Sequence, residues 1–491
     1  MKRSLFGLPM ILLPGVLILT AQPNAYAGDG PKLHDMKLAG TNDLQARSTY
    51  QPTVHRYGGN RWVLFAGHHP LGTNPVTGAP LPSFNPLTGK NELNGTSIVD
   101  VSDPKRPVYL FHLPVDNGAN GGAQMVRVCD GLGANANKIY MLRSYANSAH
   151  EIWDVTNPSN PKPVRTVKFG NPVTPPLSGT HKSWWECDTG IAYIVGRRTT
   201  DTAAGWKPGN HIMIYNLTDP AHPVFIRDWA LDGQQPGGTP PPHYTAVPSI
   251  HGPISTGPGK RVYFAYGTSS NGAMQIVDRD KLFTTSPTDY KSAELGLLDM
   301  SPTWGAHTSF PIGKIAVTDW AANTENVRDF VVVTSEETNN ECTGARNLTF
   351  MVDVTTEGRP QSVAQYQVPE SEGDFCTRGG RFGPHATNEN FGLPFYQKIV
   401  FISYFNAGVR AVDVRDPTNP QEVAFYIPAT TANTDYRCKT DDPSTCKIAI
   451  QTNNVETDER GYIYIVDRAN TGLHILQLTG ETAKSIGLNG N

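Results

Sequence analysis

The chain has no CxxC or CxxCH pair, so covalent c-type haem is not expected. It has no GxGxxG leading into a helix, no Walker loop, no HExxH and no GxSxG. The usual signatures of dinucleotide, P-loop, zincin and α/β-hydrolase chemistry are therefore missing. Charge is sparse and balanced, with 41 Lys+Arg against 44 Asp+Glu and a formal net charge of −3. No basic block or acidic tail occurs, which points away from nucleic acid and from a membrane surface. Past the N-terminus no segment approaches the roughly 20 apolar residues of a membrane span, so no membrane insertion is expected. Helical periodicity is largely absent. What abounds instead is Gly (47) and Pro (40), the punctuation of many short strands and turns.

The N-terminus reads as a secretory signal. Lys2 and Arg3 precede an apolar stretch from Leu5 to Leu19, broken by Pro9 and Pro14, and Ala25-Tyr26-Ala27 fits a small-x-small cleavage site. Residues 1–27 are expected to be removed, leaving a periplasmic or secreted chain over 28–491. No Cys follows the apolar stretch, which argues against a lipid anchor. Six Cys in an exported protein favour disulfides. Cys438 and Cys446 bracket one short loop, and Cys342 and Cys376 lie in another insertion. Cys129 and Cys187 occupy the same place in consecutive repeats, where pairing, reactive thiols or metal ligation stay open.

One sentence is written six times: an apolar strand usually ending in Asp, a Pro-bearing turn, then a second β-rich run. It appears as SIVDVSDPKRPVYLF from 97, EIWDVTNPSNPKPV from 151, HIMIYNLTDPAHPVFI from 211, LTFMVDVTTEGRPQSV from 348 and GVRAVDVRDPTNPQEV from 408. The sixth, LHILQLTG from 473, lacks the second half, and AMQIVDRDK from 273 is a degenerate seventh. A strongly β-forming strand precedes each copy, as in RWVLFA from 61 and RVYFAY from 261, and seven such strands can be counted. Four strands per unit and seven units predict an all-β fold, a seven-bladed β-propeller forming a single domain. The last unit lacks a fourth strand after Leu478, and the segment Leu33–Gly40 is expected to supply it and close the ring. The recurrent Asp is read as a turn cap accepting backbone N–H bonds.

The strand SIVDVSDP followed by Pro107-Val108 resembles the LVIVD-repeat family of exported bacterial propellers. The resemblance covers nearly the whole mature chain. It implies the fold and export but no reaction, because fold does not fix function.

Counting back eleven residues from the second strand reaches His181 and His251, and the same local pattern gives His307 and His385. In the first and last repeats the count reaches Gln51 and Gln451, and the second repeat offers Gln124. Four consecutive blades thus start their innermost strand with His. Innermost strands line the axial channel, so the four imidazoles are expected to converge at one height and to hold a transition metal ion (Cu, Fe, Mn or Zn). Glu336 and Glu337 are expected to orient an imidazole or relay protons. Of the adjacent His68 and His69, which point opposite ways on an extended strand, at most one can join. Arg197 and Arg198 are either anion-binding or surface residues. Of Trp184 and Trp185, one packs between blades and the other lines a pocket. Insertions at 70–95, 232–242 and 335–345 are expected to form a lid. The expected activity is oxidative or hydrolytic, on a small-molecule ligand or substrate. The alternative is a non-catalytic platform for a protein partner, with the His serving as packing.

Overall fold

Alternation along the second strands decides the architecture. In Trp62–His68, Val63 and Phe65 pack against Val126, Val128 and Met141 of the following repeat, while Leu64 and Ala66 pack against Tyr464, Val466 and Ile475 of the last one. Both faces of the strand are therefore buried, which is why its sequence is a continuous apolar run. Each fully buried Val, Leu or Phe contributes about 1.5–3 kcal/mol relative to exposure. The same two-sided packing repeats round the molecule, so the core is a set of seams between sheets.

The computed structural model describes residues 30–115, 122–167, 177–244, 246–317 and 327–489. The signal-peptide reading of 1–27 lies outside them. Seven antiparallel sheets form the blades of the propeller. Their innermost strands are Thr49–Arg56, Val126–Asp130, Ser183–Trp185, Ile250–Ser255, Thr308–Ala316, Ala386–Thr387 and Thr452–Thr457.

The ring closes as the sequence predicts, with one refinement. Met36–Asn42 pairs antiparallel with Leu473–Leu478 and becomes the outermost strand of the seventh blade. The preceding residues Lys32–His34 instead pair with Gln421–Ile427, as a fifth strand on the sixth blade. The positive φ of Asp35 marks the break between the two. The N-terminal segment thus ties two blades together.

The recurrent Asp is turn chemistry. Asp100 accepts from the Ser102 N–H (3.0 Å), Asp154 from Thr156 (3.0 Å), Asp353 from Thr355 (2.9 Å) and Asp413 from Arg415 (3.0 Å). Each bond closes an Asx turn at the exit of the third strand. All six Cys are paired, as Cys129–Cys187, Cys342–Cys376 and Cys438–Cys446. The reading of Cys129 and Cys187 as reactive thiols or metal ligands is thereby corrected. Cys129 lies on the innermost strand of the second blade and Cys187 just after that of the third, so the bond joins the two blades. No helix among the described residues is long and apolar enough to cross a membrane.

Candidate functional site

The starts of the innermost strands and the ends of the second strands meet at one face, because the two run antiparallel. His181, His251, His307 and His385 come together there. Ring centroids are 4.8 Å apart for His181 and His251, 3.8 Å for His251 and His307, and 4.2 Å for His307 and His385. Four consecutive blades each place one imidazole at the mouth of the axis.

Second partners fix the tautomers. The Nδ1 of His181 lies 2.7 Å from Gln124 Oε1, that of His251 lies 2.8 Å from the His307 carbonyl, and that of His385 lies 2.5 Å from the Asn453 carbonyl. The two carbonyls only accept, so Nδ1 of His251 and of His385 carries the proton, and with Gln124 presenting its amide oxygen Nδ1 of His181 does the same. Burial pushes His181 down to about 4 and holds His251, His307 and His385 well below the ordinary imidazole value. The rings are therefore neutral, and each Nε2 of His181, His251 and His385 is a bare lone pair. Yet the Nε2 atoms of His181 and His251 face each other at 3.0 Å. His307 bonds Thr308 Oγ1 through Nδ1 at 2.9 Å.

Tyr50, from the opposite side of the ring, completes the set. It is buried, and its hydroxyl lies 3.2 Å from His307 Nε2 and 3.5 Å from His251 Nε2. One hydroxyl proton can serve only one of them. Burial, with Glu336 next in effect, raises the phenol well above its usual range, so it stays protonated.

Glu336 reaches the same place from the end of the second strand of the fifth blade. Its carboxylate receives Arg381 Nη1 at 2.8 Å and lies 3.8 Å from His385 Nε2. Ligand atoms of His307, Glu336 and His385 all fall within 4.8 Å of one another. Glu337 turns the other way. Its oxygens accept from the Asn339 N–H (2.8 Å) and from the Asn347 amide (3.3 Å). His69 joins the cluster, its ring 5.4 Å from Tyr50, whereas His68 points into the first blade and bonds Thr49 and Ser97. Arg198 is held by Asp228 and Arg197 by Ser178. Trp185 is buried between blades, while the half-buried Trp184 packs on Arg127 and Phe391.

The count that reached Gln51 and Gln451 missed the axial residues of two blades. In the fourth blade a β-bulge places His251 between Ile250, opposite Tyr266, and Gly252, opposite Ala265. The same bulge in the first blade places Tyr50 between Thr49 and Gln51, and in the seventh it places Asn453 between Thr452 and Asn454. The extra residue faces the axis, so Tyr50 and Asn453 are the counterparts of His251. Gln51 instead accepts from Asn454 between blades, and Gln451 binds the backbone of Arg381. Only Gln124 meets an imidazole.

Further along the innermost strands the axis is locked by charge. Glu389 of the sixth blade takes Lys182 of the third and Arg127 of the second, in ion pairs that must cross the axis because these blades are not neighbours. Lys182 runs over Gly252, where a Cβ would sit 2.8 Å from Lys182 Cδ and would push the lysine chain aside. Glu456 is buried near them, and desolvation raises it to about 8, leaving it neutral at pH 7. The imidazoles therefore communicate with solvent through their own face.

Two cavities open there and share Pro70 and Gln124. One, of about 560 Å³, is lined by neutral polar residues with His181 and His251. The other, of about 480 Å³, is lined by His69, Arg381, Arg437 and Arg468. Residues 70, 72, 73 and 81 of the first expected lid segment and Asn340 of the third wall the second cavity. The segment 232–242 packs beside the first cavity, Gln234 Nε2 donating to the Asn210 carbonyl at 3.0 Å.

The chain matches no family model and no curated protein. The solved structures it is similar to include the WD40 repeats of RRP9, at 9% identity and a TM-score of 0.48, with 92% of this chain and 99% of that chain covered. U3-55K is a second, at 8% identity and a TM-score of 0.45, with 90% and 98% covered.

Proposed function

We propose that this is an exported propeller of the LVIVD-repeat kind whose axial imidazoles hold one transition metal ion, from the group Cu, Fe, Mn or Zn. One observation carries the reading. Two neutral imidazoles, each with its Nδ1 proton committed to an oxygen, face each other through bare Nε2 lone pairs at 3.0 Å. Two lone pairs at that distance repel unless a positive charge lies between them. A shared proton would require an imidazolium, which burial and the nearby Lys182 oppose. A metal cation satisfies both, and the pattern of Nε2 inward and Nδ1–H on a carbonyl or amide oxygen is the usual support of a metal-ligating histidine. Imidazole-rich sites suit Zn, Cu and Fe.

In this reading His181, His251, His307 and His385 supply ligands, and Glu336 completes the set or accepts a proton while Arg381 holds it in place. Glu337 fixes the loop that carries Glu336. Tyr50 can donate a hydrogen bond to an oxygen at the open side. Neutral ligands with an open position favour oxidative or hydrolytic chemistry on a small organic molecule reaching the site from the two cavities. Three disulfides suit an oxidising compartment and so fit export.

The test is metal analysis of the full chain purified without a His tag and supplied with each metal in turn. Near-stoichiometric retention of one metal is expected in the wild type, with loss in His251→Ala/His307→Ala. A wild type that retains no metal, or a double variant that retains as much, overturns the reading.

A further inference from the structure

The second cavity has a charge imbalance that the imidazole set does not explain. Three guanidinium groups line it, those of Arg381, Arg437 and Arg468. Two are already answered. Arg381 pairs with Glu336 at 2.8 Å, and Arg437 pairs with Asp435 at 3.1 Å and donates to the Arg468 carbonyl at 2.6 Å. For the Arg468 guanidinium no hydrogen bond and no ion pair is found among the described residues, though its backbone is tied down by Ser48, Arg437 and Gln451. The main chain is thus held while the fork of N–H donors is left over. Asp435 is the one carboxylate of the lining, and Glu336 answers Arg381 from outside it, so one positive charge remains in excess.

That charge sits beside the imidazoles. Burial and then the neighbouring Arg381 push Arg468 down to about 9, with the more distant charge of Glu336 offsetting them only in part. Its field in turn disfavours the charged forms of His69, His181 and His385. A half-buried cation whose donors the protein leaves untaken offers them to a ligand at the cavity wall. A planar guanidinium binds a carboxylate through two parallel N–H···O bonds, and one excess charge matches a monoanion better than a phosphate dianion.

We infer that Arg468 anchors a carboxylate group of a small organic ligand in the cavity beside the axial imidazoles. The cavity holds this anion whether or not metal is bound. It rests on the preceding reading only for the identification of the ligand as substrate.

The experiment titrates acetate, and separately inorganic phosphate, into the full chain, reading binding by calorimetry and by thermal unfolding. The expected result is saturable acetate binding that falls at least tenfold in Arg468→Gln, is partly kept in Arg468→Lys, and persists in His251→Ala/His307→Ala after chelation. This last arm separates the anion site from the metal reading. Arg468→Gln should also unfold at a higher temperature than wild type without anion, because it removes an unanswered cation. A merely structural arginine would give the opposite shift. No acetate binding, undiminished binding in Arg468→Gln, or binding of phosphate without acetate overturns the proposal.

Discussion

Two clusters of ionisable residues lie on the same axis and behave in opposite ways. In the deeper one, Lys182, Arg127 and Glu389 come from three blades, and each charged group has an ion-pair partner within the protein. At the mouth, neutral imidazoles leave their Nε2 atoms facing one another, and Arg468 lacks a counter-ion among the described residues. Satisfied polar groups mark the part of the tunnel that holds the ring together. Unsatisfied ones mark the part that awaits something from outside.

The contrast breaks most severely at Glu389. Glu389→Ala strands two buried cations, at a cost of about 3–5 kcal/mol. Chemical denaturation should show that loss, whereas His251→Ala in metal-free protein should leave the midpoint nearly unchanged. An equal loss from both would erase the distinction between the clusters.

Glu456 sharpens the contrast through pH. Its carboxyl is raised to about 8 in the fold against about 4.5 unfolded, so the folded state holds the proton more tightly. Its contribution is complete below pH 4.5 and is lost as pH rises through 8. Glu456→Gln should therefore be as stable as wild type near pH 4 and more stable than wild type near pH 9, by on the order of 5 kcal/mol. His112, His150 and His474 act in the other direction. Burial holds each near 4, so their contribution is present above 6.5 and is lost as pH falls through 4.

A smaller effect belongs to Gln124, whose oxygen sets the His181 tautomer. Gln124→Ala should weaken metal binding by about 10–100-fold without touching stability, as measured by competition with a chelator. Smallest is a turn cap. Asp154→Ala loses the bond to the Thr156 N–H and should cost about 1 kcal/mol in urea unfolding, with metal binding intact.

The fold was legible because its physics is local and repeated. Alternating apolar strands recur seven times, five of them followed by a Pro-bearing turn, and the count needed no knowledge of which residues touch. The four His were legible for the same reason, since His181, His251, His307 and His385 ride on that repeat. Tyr50 and Asn453 were not, because a bulge adds a residue that a fixed count cannot see. Arg468, Lys182 and Glu389 were hidden more deeply. Their meaning lies in partners 207 residues away in the chain, as for Lys182 and Glu389, or in the absence of one, as for Arg468.

Anomalous diffraction from crystals of the untagged full chain grown with Co or Zn tests the central claim most directly. The account predicts one strong peak at the mouth of the axis, within bonding distance of the imidazole nitrogens of His181, His251, His307 and His385, with those imidazoles spread around it. No peak there in metal-saturated crystals, with His181 and His251 still facing at 3.0 Å, would contradict it.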